Sequence, residues 1–462
     1  MAALHDLTAI EQAQGIAAGA FTSVELTEHY LRRCAERDAQ VGAYVCLVPE
    51  RALDQAAQAD AASQRGTVDT VASALHGVVV PVKDLHQVAG VPTRFGSAAV
   101  AVEPNADDDA VHQLRQAGTI MLGKTNTPEF GLCCYTESDI MPSARTPWDI
   151  RLGAGGSSGG AAAAVALGLA SAAHGSDGGG SIRIPASCCG LVGIKPSRGR
   201  VSNGPWPDGL GELGVQGPIA RTVQDAAALL DVLAGDASGT FLQATQQPVR
   251  RLRIGRSCAP VIADTTVHPD CLTAYEQTSA LLLELGHEVI DLPVLAPREV
   301  VPAFEMVWSV GAAMVPVPAE REAQLLPLTR WLRERGRSAD GLALGRAVAT
   351  LRTATRAVLS TWQQVDVVLT PTLASPPVAV GALRDDADPK GGFELQKHFT
   401  PFTAVVNMTG QPAITLPLCW NAEGLPIGMQ VIGAPGGEAL LLSLAAQLQQ
   451  ARPWMHRRPP GW

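Results

Sequence analysis

One stretch of the chain is hydrophobic without a single charge. Residues 161–173 are mostly alanine, with leucine and valine, and no acidic or basic side chain interrupts them. A helix that is apolar on every side is buried in a protein core, and this one is too short to span a membrane. The pattern predicts a buried helix over residues 159–171.

Clusters rich in glycine and serine flank this helix. GGSSGG occupies residues 155–160, and GSDGGGS occupies residues 175–181. A helix over 159–171 advances about 20 Å, whereas residues 172–180 can extend up to about 30 Å. The chain can therefore fold back and place Ser181 beside Ser157. The glycines before Ser181 leave N–H groups free for an oxyanion, although two turns around a buried helix would produce the same pattern.

Hydrophobic runs elsewhere alternate with amphipathic segments, as in α/β proteins. Residues 78–82 predict a buried strand that ends at Lys83, and residues 120–124 predict a parallel strand after a helix over 110–118. We therefore expect an α/β fold with a large mixed, mostly parallel central sheet that helices cover on both faces.

The same patterns predict the domain organisation. No internal repeat is present, and the best linker candidate is a polar segment that begins near residue 236. We expect a single domain over residues 1–462, with a variable, mainly helical insertion at about 236–365 that helps to shape the substrate pocket. Residues 413–418 and 428–433 predict the two strands of a hairpin.

Composition restricts the partners and the compartment. The 462 residues are 46% hydrophobic and 17% charged, which indicates an extensive core, and the net charge of −9 argues against nucleic acid or an anionic membrane as partner. Asp6 and Glu11 stand where a signal peptide would be apolar, and the nine cysteines form no C-x-x-C pattern. We expect a cytoplasmic monomer or homodimer without metal or other cofactor.

Three side chains can support serine chemistry without a histidine base. A lysine buried after an uncharged strand has a pKa lowered from about 10.4 toward neutrality, so Lys83 can act as a base. Ser181 can then be the nucleophile and Ser157 the proton relay. Ser157 and Ser158 also satisfy the G-x-S-x-G pattern of Ser-His-Asp enzymes, but no good strand precedes them, and this alternative is less favoured.

Several motifs occur together in one order: PVKD, GKTNTPEFG, GGSSGG and GSDGGGSIRIPA, then GPIARTVQDAA, GQPAITLP and LPIGMQVIG. In this combination the chain resembles the amidase signature family of serine hydrolases. The resemblance implies that Lys83 is the catalytic lysine, that Ser157 is a bridging serine behind a cis Gly156–Ser157 peptide, and that Ser181 forms the acyl-enzyme. It also implies an oxyanion hole made by the backbone N–H groups of Gly178, Gly179, Gly180 and Ser181.

The resemblance extends to supporting residues. Asp177 and Arg183 match positions that brace the oxyanion loop, and Ser158 is expected to cap the helix that follows it. Gly178 stands where many members have threonine, which we expect to leave more room near the scissile carbonyl. Ile184 stands where subunits of tRNA-dependent amidotransferases typically have glutamine, and this weakens a transamidating alternative.

The implied activity is hydrolysis of an amide C–N bond through an acyl-enzyme on Ser181, with a small-molecule amide and water as reactants. The alternative is a glutamine-dependent amidotransferase subunit in a tRNA-transamidating complex. Arylamides, aliphatic amides, oligoamides and carbamates all remain open as substrates. Bulky apolar residues in the regions expected to line the site predict a neutral, bulky substrate; they are Phe130, Tyr135, Trp206, Leu210 and Trp308.

Replacing Ser181 with alanine tests the nucleophile. We expect a folded protein whose amidase activity falls by several orders of magnitude, on the scale of about 10⁶ seen when a serine nucleophile is removed. The measurements are kcat on an amide and peptide mapping after fluorophosphonate treatment, which should label Ser181. Labelling at Ser158, or retained turnover in the alanine variant, would assign the nucleophile elsewhere.

Overall fold

The computed structural model describes residues 3–68, 74–205, 209–294 and 296–462. The N-terminal elements are α1 (Ala9–Ala17), α2 (Ser23–Val41), β1 (Tyr44–Leu47), α3 (Pro49–Gln64), β2 (Val82–Lys83), α4 (Asp109–Gln116) and β3 (Gly123–Thr125). The central elements are α5 (Gly159–Ala166), β4 (Ala172–Asp177), α6 (Arg183–Cys189), β5 (Val192–Lys195), β6 (Val215–Ala220), α7 (Val223–Ala234) and α8 (Thr240–Ala244). The remaining elements are β7 (Arg253–Arg256), α9 (Pro269–Glu284), β8 (Glu288–Asp291), α10 (Val300–Met314), α11 (Pro327–Arg337), α12 (Gly341–Trp362), β9 (Val367–Pro371), α13 (Pro389–Phe399), α14 (Ala404–Thr409), β10 (Ala413–Trp420), β11 (Pro426–Gly433) and α15 (Glu438–Ala451).

An eight-stranded sheet organises the molecule, with strand order β4-β6-β5-β10-β11-β9-β7-β8. Successive side chains of a strand point to opposite faces. Val367 and Leu369 belong to the hydrophobic cluster that contains α7, α9 and α15, whereas Val368 between them packs with α10, α12 and α14. Helices therefore cover both faces of a mixed sheet, which confirms the predicted α/β fold class.

The prediction that this sheet is mostly parallel is wrong. Among the described strands, only the β9–β7 and β7–β8 pairs are parallel; the other neighbouring pairs of this sheet are antiparallel. A strand that is covered on both faces is hydrophobic along its whole length in either direction. The hydrophobic pattern could therefore predict burial but not strand direction.

A second, three-stranded sheet with the order β1-β3-β2 carries Lys83 at its end. β2 runs parallel to β3, with Lys83 opposite Thr125, and a parallel bridge joins Val79 to Ile120. The predicted parallel pairing next to Lys83 is thus confirmed, but both strands are shorter than predicted, with only the Val79–Ile120 bridge before them. The His174 N–H of β4 donates to Pro81 O at 3.1 Å, which docks this strand against the large sheet.

The helix between the glycine-rich clusters is buried as predicted but ends earlier. Every residue of α5 is buried, and the helix stops at Ala166. Gly168 adopts a left-handed conformation with φ 66°, and the Arg33 side chain donates to the carbonyls of Leu167 and Gly168. These contacts terminate the helix and release the chain into β4. No helix in the described ranges has the length and hydrophobicity needed to cross a membrane.

Residues 236–365 are mainly helical, but they do not form a unit separate from the sheet. β7 and β8 from this segment extend the central sheet, and Ile254 of β7 pairs with Val367 of β9. The helices α10 and α12 from the same segment pack on one face of that sheet. The segment is thus part of the main hydrophobic core.

A tightly packed glycine in α5 and an open glycine in α12 together test the packing of these helices. A Cβ at Gly160 would overlap backbone atoms of Asn126 and Ala43, so Gly160→Ala should lower the free energy of unfolding by about 1–3 kcal/mol. Gly345 lies in α12 with no atom within 4 Å of an added Cβ, so Gly345→Ala should raise it by about 0.5–1 kcal/mol. Denaturant unfolding of both variants is the measurement, and shifts of the same sign would contradict this packing.

Candidate active site

The two glycine-rich clusters meet as the sequence predicts. The Ser158 N–H donates to Ser181 O at 3.1 Å, so the loop after β4 lies against the loop before α5. The peptide bond between Gly156 and Ser157 is cis, as the resemblance implies. This arrangement places both predicted catalytic serines in one small region beside the end of β2.

The Lys83 side chain points at Ser157. Its Nζ lies 2.7 Å from Ser157 Oγ, 3.1 Å from Ser176 Oγ and 3.3 Å from Ser176 O. A neutral amine has two N–H groups and one lone pair, and a carbonyl oxygen can only accept. With both N–H groups donated to Ser176, the lone pair faces the Ser157 hydroxyl. This geometry allows Lys83 to take a proton from Ser157.

The charge state of Lys83 follows from its surroundings. The residue has no exposed surface. Burial lowers the pKa of Lys83 from 10.5 to about 7, and the carboxylate of Asp177 opposes part of this shift. A substantial fraction of the amine is therefore neutral at neutral pH, as a base requires.

Ser181 is the serine that borders a pocket. It retains 6% of its surface exposed, whereas Ser157 retains 2%. In the described part of the chain, no hydrogen bond joins the hydroxyls of Ser181 and Ser157. Proton transfer between these two serines therefore stays a prediction.

The capping prediction for Ser158 is wrong. Ser158 is the N-cap residue of α5, but its side chain does not cap the helix. Its hydroxyl donates to Ser176 O at 3.1 Å and accepts from the Ser176 N–H at 3.3 Å, while Thr136 Oγ1 accepts from the Gly159 N–H instead. The backbone of β4 thus competes successfully for the Ser158 hydroxyl. Ser176 was not among the predicted site residues, although its place directly before Asp177 in the second cluster was an available signal.

The predicted set of oxyanion donors also needs a correction. The Gly180 N–H donates to Asp177 Oδ1 at 2.7 Å. The N–H groups of Gly178, Gly179 and Ser181 have no acceptor among the described residues. Gly180 therefore shapes the loop, and the other three N–H groups are the ones available to an oxyanion.

A fully buried ion pair between Asp177 and Arg183 supports this loop. Arg183 Nε and Nη2 each donate to one carboxylate oxygen at 2.9 Å. Its other bonds reach Asn407 Oδ1, Thr403 O and Gln430 Oε1. Burial alone would raise the pKa of Asp177, but the guanidinium of Arg183 and its hydrogen bonds hold that pKa well below its usual range. These contacts agree with the predicted bracing role.

Ser181 opens into a pocket with largely apolar walls that encloses about 750 Å³, including the part open to solvent. Phe304 and Trp308 of α10 stack there with ring centroids 5.7 Å apart. A Cβ at Gly178 would lie 3.2 Å from Trp308 Cζ3, so Trp308 occupies the room that we expected this glycine to leave. Further apolar lining comes from Leu132, Ile184, Val300, Phe393, Val405 and Met408.

Comparison with known proteins identifies the family. The model of the Amidase family matches residues 25–442. This chain belongs to the amidase family. AmiB2 of Mycobacterium tuberculosis, a protein whose name assigns it to the amidases, is 40% identical over 465 residues, covering 98% of this amidase and 97% of AmiB2.

Solved structures of amidases share the whole architecture. The structure of 6-aminohexanoate cyclic dimer hydrolase with its substrate has a TM-score of 0.87 at 29% identity and covers 99% of both chains. A bacterial aryl acylamidase of the amidase signature family has a TM-score of 0.85 at 26% identity, covering 98% of this chain and 97% of its own. This amidase therefore has the amidase signature fold and is a hydrolase acting on amide C–N bonds.

Only part of the predicted substrate-binding set lines the pocket of this amidase. Trp308 lies in its wall. Phe130 lies outside the lining residues, in a short turn where its N–H donates to Phe95 O, and Tyr135 lies behind the cis peptide, where its backbone contacts Gly156. Leu210 lines a separate cavity, and Trp206 lies outside the described residues.

The pH dependence of activity tests the role of Lys83. Only the neutral amine accepts a proton, and burial lowers its pKa to about 7, so kcat/KM should rise with pH through a midpoint near 7. Lys83→Met should remove this rise and most of the rate. The measurement is kcat/KM between pH 5 and 10 on a neutral amide whose own charge does not change in that range.

Lys195 provides a matched control for that experiment. It is also buried with a pKa lowered to about 7, but its Nζ donates to the carbonyls of Pro196 and Gln411. Lys195→Met should keep the midpoint of the wild type. If the midpoint near pH 7 disappeared in Lys195→Met and persisted in Lys83→Met, the base would be Lys195, and the assignment to Lys83 would be wrong.

Proposed function

We propose that this amidase hydrolyses a neutral amide with a bulky apolar portion, through an acyl-enzyme on Ser181. The observation that carries the proposal is the hydrogen bond between buried Lys83 and Ser157, beside a serine that opens into an apolar pocket. A lysine in these surroundings serves as a base because it is uncharged. Complete burial keeps the amine of Lys83 uncharged, and the apolar pocket beside Ser181 binds the substrate.

In the proposed first step, Ser181 Oγ attacks the amide carbonyl carbon. The Ser181 proton passes to Ser157 Oγ, and the Ser157 proton passes to Lys83 Nζ. The carbonyl electrons move to its oxygen, which accepts hydrogen bonds from the N–H groups of Gly178, Gly179 and Ser181. Each such donor typically contributes about 3–4 kcal/mol to the stability of the transition state.

Collapse of this intermediate breaks the C–N bond. The proton returns from Lys83 through Ser157 to the departing nitrogen, so the product is a neutral amine and an ester on Ser181. A water molecule then attacks the ester carbon and loses its proton to the same relay. The relay returns this proton to Ser181 Oγ as the ester bond breaks, which releases the carboxylic acid and restores the Ser181 hydroxyl.

The charges around the pocket favour a neutral substrate. Lys397 Nζ donates to Glu305 Oε1 at 2.6 Å and contacts Glu394 Oε1 at 2.7 Å. Arg335 Nη2 donates to the second oxygen of Glu305 at 2.8 Å. Two carboxylates and two cations cancel, so the pocket offers apolar contacts without a net charge. The insertion at 236–365 contributes α10 to this wall, which supports its proposed part in shaping the pocket.

The relatives support the same substrate class. Two of the similar solved structures are named for a cyclic amide dimer and for aryl acylamides. A cyclic dimer has no charged termini, and an aryl acylamide carries a bulky apolar group. We propose that this amidase shares the preference for neutral amides, whether the apolar group lies on the acyl or the amine side. The transamidating alternative predicts a preference for glutamine instead.

Comparison of substrates tests the pocket. A neutral anilide with a bulky acyl group should have a kcat/KM more than tenfold above those of acetamide and glutamine, because each buried CH₂ contributes about 0.8 kcal/mol. Phe304→Ala should lower kcat/KM for the bulky anilide by at least about tenfold while changing acetamide hydrolysis little. The measurement is steady-state release of the amine or ammonia from each substrate.

Leu210→Ala is the matched control, because Leu210 lines a different cavity. It should leave the ratio between the bulky anilide and acetamide as in the wild type. Equal efficiencies for all substrates, or a preference for glutamine, would overturn the pocket assignment and favour the amidotransferase reading.

A further inference from the structure

A second cavity lies on the other side of Met408 from the catalytic pocket. Its volume is about 900 Å³ when the part open to solvent is counted. One wall comes from the segment that contains Leu210 and Leu213, and the other wall comes from α12. Met408 contributes to the walls of both cavities. The proposed hydrolysis makes no use of this second cavity.

The cavity combines an apolar floor with a positively charged rim. Leu213, Leu351 and Met408 are buried and supply the floor. Arg198, Arg352 and Arg356 lie on the lining together with a single acidic residue, Glu212. A chain with a net charge of −9 thus places an excess of positive charge at one cavity.

Two of these arginines have little part in the fold: within the described residues, the Arg352 side chain has no hydrogen bond, and Arg356 Nη2 donates only to Thr353 Oγ1 of the same helix, at 3.4 Å. Arg352 and Arg356 are exposed, one turn apart on α12, and no carboxylate among the described residues pairs with either of them. Arg198 has a structural task, since it donates to Glu212 O, Asn407 O and Met408 O. The guanidinium groups of α12 are therefore the ones available to a ligand.

We propose that this cavity binds an amphipathic carboxylate, with its apolar part over Leu213, Leu351 and Met408 and its carboxylate at Arg352 and Arg356. A guanidinium matches the two oxygens of a carboxylate with paired N–H donors. An apolar floor adds affinity for an alkyl or aryl group that inorganic anions lack. The acid released by amide hydrolysis belongs to this chemical class, but binding here does not depend on the proposed function.

The site contacts residues that support the oxyanion loop. Asn407 Nδ2 donates to Asp177 Oδ1 at 2.8 Å and to Leu213 O at 3.1 Å. Leu213 is part of the cavity floor, and Arg198 holds the carbonyl of Asn407 from the cavity side. A ligand in this cavity thus lies next to residues that bond directly to the brace of the oxyanion loop.

Titration calorimetry with octanoate tests the proposal on the intact enzyme. Arg352→Gln/Arg356→Gln should raise the Kd for octanoate at least tenfold. Arg346→Gln is the matched control, because Arg346 is an exposed arginine on the same helix that does not line the cavity. It should change the Kd less than twofold. Octan-1-ol, which has the same chain without the charge, should bind all three proteins equally.

Octanoate can also enter the apolar catalytic pocket, and the variants separate the two locations. Binding that is equal in the wild type and in Arg352→Gln/Arg356→Gln would place octanoate in the catalytic pocket only and overturn the proposal. If Arg346→Gln weakened octanoate binding as much as Arg352→Gln/Arg356→Gln does, the effect would come from the net charge of the protein. That result would also overturn the proposal. The calorimetric measurement does not require turnover of an amide. A negative result for octanoate binding would therefore leave the proposed hydrolysis unaffected.

Discussion

A lysine amine kept away from water is the constraint on which the site depends. Lys83 ends a short strand that is docked between β3 and β4, and within the described ranges its Nζ forms hydrogen bonds only with Ser157 and Ser176. Desolvation disfavours the ammonium form, and this is what the proposed role of Lys83 as a base requires. The fold must therefore enclose Lys83 fully while leaving Ser181 open to a pocket.

The site contains two buried basic residues, Arg183 and Lys83, that differ in their charge state. Arg183 cannot lose its proton under ordinary conditions, so it is paired with Asp177 through two hydrogen bonds, and both remain charged. Among the described residues, Lys83 has no carboxylate within hydrogen-bond distance, and burial lowers its pKa to about 7. The carboxylate of Asp177 favours protonation of Lys83, but burial has the larger effect on the pKa of Lys83. The same few ångströms thus hold one permanent ion pair and one neutral base.

Most of the pocket wall comes from a later part of the chain than the predicted catalytic residues. Lys83, Ser157 and Ser181 belong to its first half, whereas the stacked rings of Phe304 and Trp308 come from α10. Trp308 reaches the glycine loop itself and fills the space beside Gly178. The part of the pocket wall formed by α10 and α13 is thus separate from the strand that carries Lys83 and from the loops that carry Ser157 and Ser181.

The sequence by itself determined the chemistry-bearing positions, because they follow from local pattern and spacing. The apolar run before Lys83 predicts its burial, and the length of the segment between Ser157 and Ser181 predicts that these serines meet. Motif resemblance then supplied the family and the cis peptide at Gly156. Burial and spacing depend on residues close to one another along the chain, and each motif of the resemblance is itself a short local segment.

Only the tertiary structure decided features that depend on partners far away in sequence. Strand direction was one, since a buried strand is hydrophobic in either orientation. The partners of individual polar groups were another: Ser158 bonds to β4 instead of capping α5, and the Gly180 N–H bonds to Asp177. The pocket wall was the third, because Leu210 and Trp308 have similar hydrophobicity and only packing sends them to different cavities. The hydrophobicity of a side chain predicts that it is buried, whereas packing between distant parts of the chain determines which residues it contacts.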